Sequence, residues 1–386
     1  MKNILFGIDV FCGQSKTYRN SRLGLITNNA ATTTRGSSSR TSLQKAGFNI
    51  TKLFSPEHGL NARGEDGAFQ NNHTDPATGL PVISLYGLHL SPGAEDLADI
   101  DMLLFDIPDA GCRFYTYLWT MTYAMEACAR WQKPLLVLDR PNPIGANLAH
   151  AEGPWLDEAS CSSFIGRWNI PVRHSCTLGE LANFFAATRV KDLDLRIIKV
   201  QQWERTETAA AAGWHFVPTS PAISDAATAM LYPGMGLLEG VQINEGRGTT
   251  TPFKRMGAPW IDAKKLQEVF SALHLPGIEA GITHYIPAEG MHAGALCHGL
   301  QFTVTEEQGF FPVRTGLLLL QKIIQLYPAA CQQRLYPTVA NPAGTGHLDK
   351  LTGVKDSFEK LKSGELLPMT TLQQEWTSII QPYLLY

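Results

Sequence analysis

Several features that would classify a protein quickly are scarce or missing from this 386-residue sequence. Cysteine is sparse: the seven residues stand at 12, 112, 128, 161, 176, 297 and 331, an odd number and widely spaced. None forms a C-x-x-C pair, which argues against a disulfide framework and a zinc knuckle. Charge of one sign is missing too, since 32 basic and 35 acidic residues leave a net charge of -3. Without a strong field, a nucleic-acid or anionic-membrane partner is disfavoured. No apolar run approaches the length of a membrane span. The start, MKNILFGIDVFCGQ, has one lysine before a short apolar run that Asp9 interrupts. A secretory h-region is longer and leads to a small-residue cleavage site, so the reading is a soluble, cytoplasmic protein.

Motifs of the common chemistries are missing as well. There is no H-E-x-x-H and the histidines are scattered, so no metal and no cofactor is expected. There is no G-x-S-x-G nucleophile elbow and no phosphate-binding G-x-x-x-x-G-K-[ST] loop. No G-x-G-x-x-G follows the first apolar run, which removes the usual dinucleotide fingerprint.

What is present is a long, apolar, regularly punctuated chain. It is 44% hydrophobic, ample for a large core. Short apolar runs recur at Leu23–Thr27, Ile50–Phe54, Val82–Leu85, Met102–Ile107 and Leu135–Leu138. Amphipathic stretches such as Ser39–Ala46 and Tyr117–Trp131 lie between them. That alternation predicts βαβ units: an α/β fold with a Rossmann-like, doubly wound parallel sheet over residues 1–155. After about residue 155 the texture changes. Thr177 with Glu180 has the spacing of a capping box, opening a helix to Thr188. Leu195–Val200 reads as a strand, and Val313–Leu326 as a long apolar helix. Residues 156–386 are read as a second α+β domain.

Polar residues cluster where each predicted strand ends, the edge at which open α/β sheets bind ligands. Asn28 follows the first strand. Ser55-Pro56-Glu57-His58-Gly59 follows the second. There Glu57 can be a desolvated general acid, with His58 orienting it or acting as the acid itself. An exposed turn is the plainer reading. The fourth strand ends in DIPDAGCRFYTY, which holds Asp109, Arg113 and Tyr115. Arg113 can fork onto a ligand carboxylate, or can serve an internal ion pair. Asp109 leans towards a structural role in the turn. After the fifth strand, LDRPNP brings Asp139, Arg140 and Asn142, the last suited to a ligand contact or an Asx-turn. Further on, INEGRGTTTPF carries Glu245 and Arg247 among glycines. Glu245 can complete a carboxylate pair with Glu57, or the loop can be a solvated ion-paired surface. Trp203, Trp214, Trp260 and Tyr232 can stack on a sugar, although packing is the better account of each alone.

Taken together, the segments LFSPEHGL, TGLPVISLYG, DIPDAGCRFYTY, LDRPNPIG, SFIGRWNIPVRH, LYPG, NEGRGTTTPF, GAPWID and DKLTG resemble, in this order, the exo-β-N-acetylmuramidases of the NamZ type (glycoside hydrolase family 171). The resemblance covers nearly the whole chain. It implies a Rossmann-like domain, an auxiliary domain, and a cleft between them. It also implies removal of N-acetylmuramic acid from the non-reducing end of peptidoglycan fragments during cell-wall recycling. The catalytic glutamate of the family's SPEHG motif falls on Glu57. The chain departs from the pattern in places. Pro108 and Ala110 stand in a motif that reads Asp-Ile-Gln-Asp-Val-Gly in the family. Val241-Gln242-Ile243-Asn244 replaces a Thr-Asn…Ser loop, and Ala222 replaces an asparagine.

The resulting expectation is glycosidic-bond hydrolysis of a small saccharide or muropeptide, with Glu57 as acid. Glu245 or Asp109 is expected as the second group. Arg113 or Arg247 is expected on the lactyl carboxylate. Asn28, Tyr115, Arg140 and Asn142 are expected on the substrate. The alternative is a protein that binds the same ligand without turnover. An esterase acting in this cleft is a third reading, with no nucleophile motif behind it.

Overall fold

The computed structural model describes residues 3–14, 16–368 and 372–386. Its larger sheet contains β1 (Leu23–Thr27), β2 (Ile50–Ser55), β3 (His73–Thr74), β4 (Pro81–Ser84), β5 (Met102–Asp106), β6 (Leu135–Leu138) and β7 (Leu195–Ile198). The order across the sheet is β3-β4-β2-β1-β5-β6-β7, and only β3 pairs antiparallel. Counted alone, the parallel strands stand in the order third, second, first, fourth, fifth, sixth. That is a doubly wound sheet whose direction of winding reverses between β1 and β5.

The residues explain why both faces are covered. Leu25, Leu53, Leu104 and Leu136 point into one core, with Ile8 and Phe11 of the helix Gly7–Gln14. Ile26, Phe54, Phe105 and Val137 point into the other, with the helices Tyr117–Arg130 and Leu178–Thr188. Consecutive strand residues face opposite sides, so a run apolar at every position needs cover on both. The six strands expected from the sequence all form, the last as β7. The capping box at Thr177 and Glu180 forms too.

β7 lies beyond the residue-155 boundary drawn from sequence, yet it pairs in parallel with β6. The large sheet therefore takes in chain from both sides of that boundary. The cause is the helix Leu178–Thr188: its N-terminus is bound by Asp139, at the end of β6, through the Thr177 hydroxyl and the Gly179 N–H. That docking delivers the next strand to the sheet edge.

The rest of the chain builds a smaller antiparallel sheet from β8 (Arg255–Ala258), β9 (Ile278–Tyr285) and β10 (Cys297–Val304), in the order β8-β10-β9. The helices Ala226–Met235 and Pro312–Leu326 cross in close contact at Gly234 and Gly316, where a Cβ on either would meet backbone of the other helix. The architecture is an α/β sheet with a second, smaller α+β part. Among the described residues, no helix is long and apolar enough to cross a membrane.

Candidate active site

The loop after β2 turns back over the carboxyl edge of the sheet. His58 and Gly59 have φ of 65° and 69°. Left-handed backbone at a histidine costs on the order of 1 kcal/mol, and here it bends the chain directly after Glu57. The His58 ring secures the bend, with Nδ1 2.8 Å from the Gly64 carbonyl oxygen. A carbonyl can only accept, so Nδ1 carries the hydrogen. Its Nε2 lies 3.7 Å from Asp66 Oδ1.

Glu57 is 6% exposed. The Gly67 N–H donates to its Oε1 at 2.7 Å. The Tyr86 hydroxyl faces the same carboxyl group, with the Thr338 side chain and the Ala340 backbone on its other side. Burial pushes the Tyr86 phenol up, and Glu57 pushes it further. Thr338 comes from a remote segment that docks on Gly67, whose carbonyl accepts from the Val339 N–H at 3.0 Å. Gly67 has φ of 68°, and a Cβ on it would stand 2.5 Å from Thr338 Cγ2. The docking needs glycine for its backbone angle and for its lack of a side chain.

These groups border an open cleft of about 770 Å³, counting the part continuous with solvent. Phe114, Tyr115, Tyr232 and Phe253 form an aromatic wall, and Tyr336, Thr338, His347 and Lys350 come from the last part of the chain. The cleft also holds two acidic residues that the sequence reading left without a role. Asp66 ion-pairs with Arg247 Nη1. Glu239 Oε1 accepts from Arg247 Nε at 3.0 Å and Nη2 at 2.8 Å. Glu245 stands 3.1 Å from the same Nε and 3.3 Å from Arg334. Three carboxylates thus face two guanidiniums, an excess of negative charge in a buried place. Burial pushes Glu239 up to about 7; Arg247 opposes the rise, while Glu245 and Asp66 reinforce it. For Arg247 itself, burial works to lower the value, but Asp66 and Glu239 more than reverse that and hold it well above its ordinary range.

Of the residues picked from sequence, Glu57, His58, Tyr115 and Arg247 line this cleft. Tyr115 presents its ring, since its hydroxyl donates to Thr219 at 2.8 Å. Glu245 sits behind Arg247, 1% exposed. The others do not line the cleft. Arg113, expected on a ligand carboxylate, is fully buried and donates to the carbonyls of Pro154, Ile170 and Leu351. Arg140 forks onto Asp106 at 2.6 and 3.0 Å, tying the end of β6 to that of β5. Asn142 forms the Asx-turn: its side-chain oxygen accepts from Ile144 N–H, and its amide donates to the Cys176 carbonyl. Asn28 is fully buried and accepts from Ala30 N–H. Asp109 accepts from Gly111 N–H and lies 3.2 Å from His174 Nε2. Asp109 and Arg140 border a separate, smaller cavity below Trp214. Of the aromatic residues singled out for stacking, only Tyr232 reaches the main cleft.

The signal that could have found Glu239 is its setting in GLLEGV, an acid inside an apolar run. Such a carboxylate is bound to be buried and in need of a partner. Among the described residues, no group of three or more His, Cys, Asp or Glu side chains is placed to hold a metal ion.

Fold and site define an α/β protein with an open cleft whose acidic groups come from both parts of the chain. The comparisons then place it. Residues 23–227 match the N-terminal family model of exo-β-N-acetylmuramidase NamZ, and residues 230–386 match the C-terminal one. The chain is 40% identical over 360 residues to the peptidoglycan β-N-acetylmuramidase NamZ of Bacillus subtilis, covering 93% of this chain and 84% of that protein. A crystal structure of a DUF1343 family protein from Bacteroides fragilis superposes with a TM-score of 0.87 at 30% identity, over the full length of both chains. A second DUF1343 protein from that organism, at 24% identity and a TM-score of 0.75, shares the fold over 100% of this chain and 99% of its own. The chain belongs to the NamZ exo-β-N-acetylmuramidase family.

Proposed function

We propose that the protein hydrolyses the β-glycosidic bond of N-acetylmuramic acid at the non-reducing end of peptidoglycan fragments such as MurNAc-GlcNAc. The observation that carries this is the placement of Glu57. It is a buried carboxyl group at the end of β2, held through one oxygen by the Gly67 N–H, on the wall of an open, aromatic-lined cleft. Glu57 delivers a proton to the glycosidic oxygen as the bond to the anomeric carbon breaks. Water supplies the new oxygen at that carbon, and its proton passes to a second acidic group.

Glu245 and Asp109 were the sequence candidates for that second group, but neither borders the cleft. Glu239 does, and both hydrogen bonds from Arg247 fall on Oε1, leaving Oε2 open. A carboxyl group with a pKa of about 7 is divided between acid and base near neutral pH, which suits a group that must accept a proton and release it each cycle. The non-catalytic alternative is not favoured by the family to which the chain belongs. Cytoplasmic residence, and with it a role in recycling imported fragments, remains part of this proposal; fractionation of the native host tests it.

Hydrolysis of 4-nitrophenyl β-N-acetylmuramide and of MurNAc-GlcNAc tests the activity. Glu57→Gln should lower kcat by roughly 10²–10⁴-fold, the usual worth of general acid catalysis. A Glu57→Gln rate equal to wild type would remove Glu57 from the acid role.

A further inference from the structure

The muramic acid lactyl group ends in a carboxylate, and the cleft must place it against a cation or leave it in water. The two arginines expected there are not available. Arg113 is fully buried, does not line the cleft, and donates to the carbonyls of Pro154, Ile170 and Leu351. Arg247 faces Asp66, Glu239 and Glu245, so a fourth anion beside it would meet three carboxylates. His58 has Nδ1 on the Gly64 carbonyl.

One cation of the cleft wall is differently placed. Lys350 Nζ donates to the Thr345 carbonyl at 2.9 Å, leaving two of its three N–H groups. No described carboxylate forms an ion pair with it. Its nearest acidic neighbour in sequence, Asp349, is already engaged by the N–H groups of Asp356 and Ser357. Burial holds the Lys350 pKa below the ordinary value, against the opposing pull of Cys161 and Asp349.

A second observation points to the same place. His347 lies one helical turn earlier on His347–Thr352, so its side chain shares a face with Lys350. It is 6% exposed, lines the cleft, and its Nε2 is buried with no hydrogen-bond partner. Tyr336 stacks on the ring at 4.3 Å with planes 7° apart, which fixes its orientation. Burial first, then the charges of Arg334, Lys350 and Arg247, push the imidazole down to about 3, so it is neutral in use. A neutral imidazole still offers one N–H, and the positive surroundings favour an acceptor beside it. A buried nitrogen without a partner and an ammonium with no described carboxylate paired to it, both on one wall, suit an anionic group of a ligand.

Resting on the glycosidase reading above, we propose that Lys350 and His347 form the subsite that binds the lactyl carboxylate. Lys350 supplies charge-assisted hydrogen bonds and His347 supplies an Nε2–H. This subsite distinguishes N-acetylmuramic acid from N-acetylglucosamine, which lacks the lactyl ether.

The test compares 4-nitrophenyl β-N-acetylmuramide with its lactyl methyl ester, in wild type, Lys350→Met, Lys350→Arg and His347→Phe. Wild type should prefer the acid by roughly 10–100-fold in kcat/KM, the worth of a hydrogen-bonded charge. Lys350→Met should lose most of that preference, mainly through KM for the acid, and Lys350→Arg should restore it to within several-fold. His347→Phe should lower it by a smaller factor. A merely structural role for Lys350 would depress acid and ester alike. Calorimetric binding of free N-acetylmuramic acid and its methyl ester runs in parallel. It decides the matter even if no substrate is turned over, an outcome that would remove the glycosidase reading and leave this one standing or falling on binding alone. An acid preference retained in Lys350→Met, or absent from wild type, overturns the proposal.

Discussion

Replacing Glu239 by glutamine tests the charge balance of the cleft through stability as well as activity. Burial raises this carboxyl group from 4.5 to about 7, against the pull of Arg247. A carboxyl group raised by folding holds its proton more tightly in the native state than in the unfolded chain. Its contribution to stability is therefore fully present below pH 4.5 and is lost as the pH rises through about 7. The rise corresponds to on the order of 3 kcal/mol across that window. Glutamine keeps the shape and cannot ionise, so the variant lacks this loss. Urea unfolding of both proteins from pH 4.5 to 8 isolates the effect, because other buried carboxyl groups, such as Glu152 and Asp139, cancel in the difference. The stability of Glu239→Gln relative to wild type should climb with pH by about 2–3 kcal/mol. Any constant offset reports the altered contact with Arg247. The same variant should lose at least about 10²-fold in kcat, since an amide cannot accept the proton of water. A flat difference curve would refute the claim that burial and neighbouring carboxylates control Glu239. A full rate would refute its place in the reaction.

Other outcomes follow from the same geometry. Arg113→Met strips donors from the carbonyls of Pro154, Ile170 and Leu351, and should cost at least about 3 kcal/mol in chemical unfolding. It should leave the preference for acid over ester intact in whatever protein still folds; a selective loss of that preference would return Arg113 to the substrate. Gly67→Ala strains a backbone at φ of 68° and drives a methyl group against Thr338. It should lower both Tm and kcat, because the Gly67 N–H that holds Glu57 moves with it; an unchanged kcat would separate that hydrogen bond from catalysis.

The parallel sheet was legible because fully buried strands leave a strong trace: short runs apolar at every position, each ended by Gly, Pro or a polar residue. Leu23–Thr27 and Met102–Asp106 are buried at every position. The strand ends were legible as places where polar side chains gather. What they do there was not. Asp106, Arg140 and Asn142 have the residue types of a binding site, yet they tie strand ends and turns to one another. Sequence cannot separate an arginine aimed at a ligand from one aimed at carbonyls, because both need the same residue in the same loop. Glu239, His347 and Lys350 were missed for a different reason. Their position beside Glu57 depends on how remote segments dock, and no local pattern encodes that.

The loop from Glu57 to Gly67 shows how the two parts of the chain depend on each other. Glu57 faces Tyr86, which follows β4 and also contacts Thr338 of the smaller part, Asp66 pairs with Arg247, and Gly67 receives Val339. The Asp66–Gly67 end of the loop is therefore held from across the cleft. If the smaller part were to shift, Asp66 would lose its guanidinium while Glu239 and Glu245 kept theirs, and the N–H that orients Glu57 would lose its anchor. Docking of the two parts and orientation of the proposed acid are thus one event. Sliding motions that leave the cleft open but catalytically competent are disfavoured, because a partly buried carboxylate separated from its counter-ion is costly. The cost falls most heavily on the loop that also carries the left-handed His58, whose strained backbone is sustained by the same surrounding contacts.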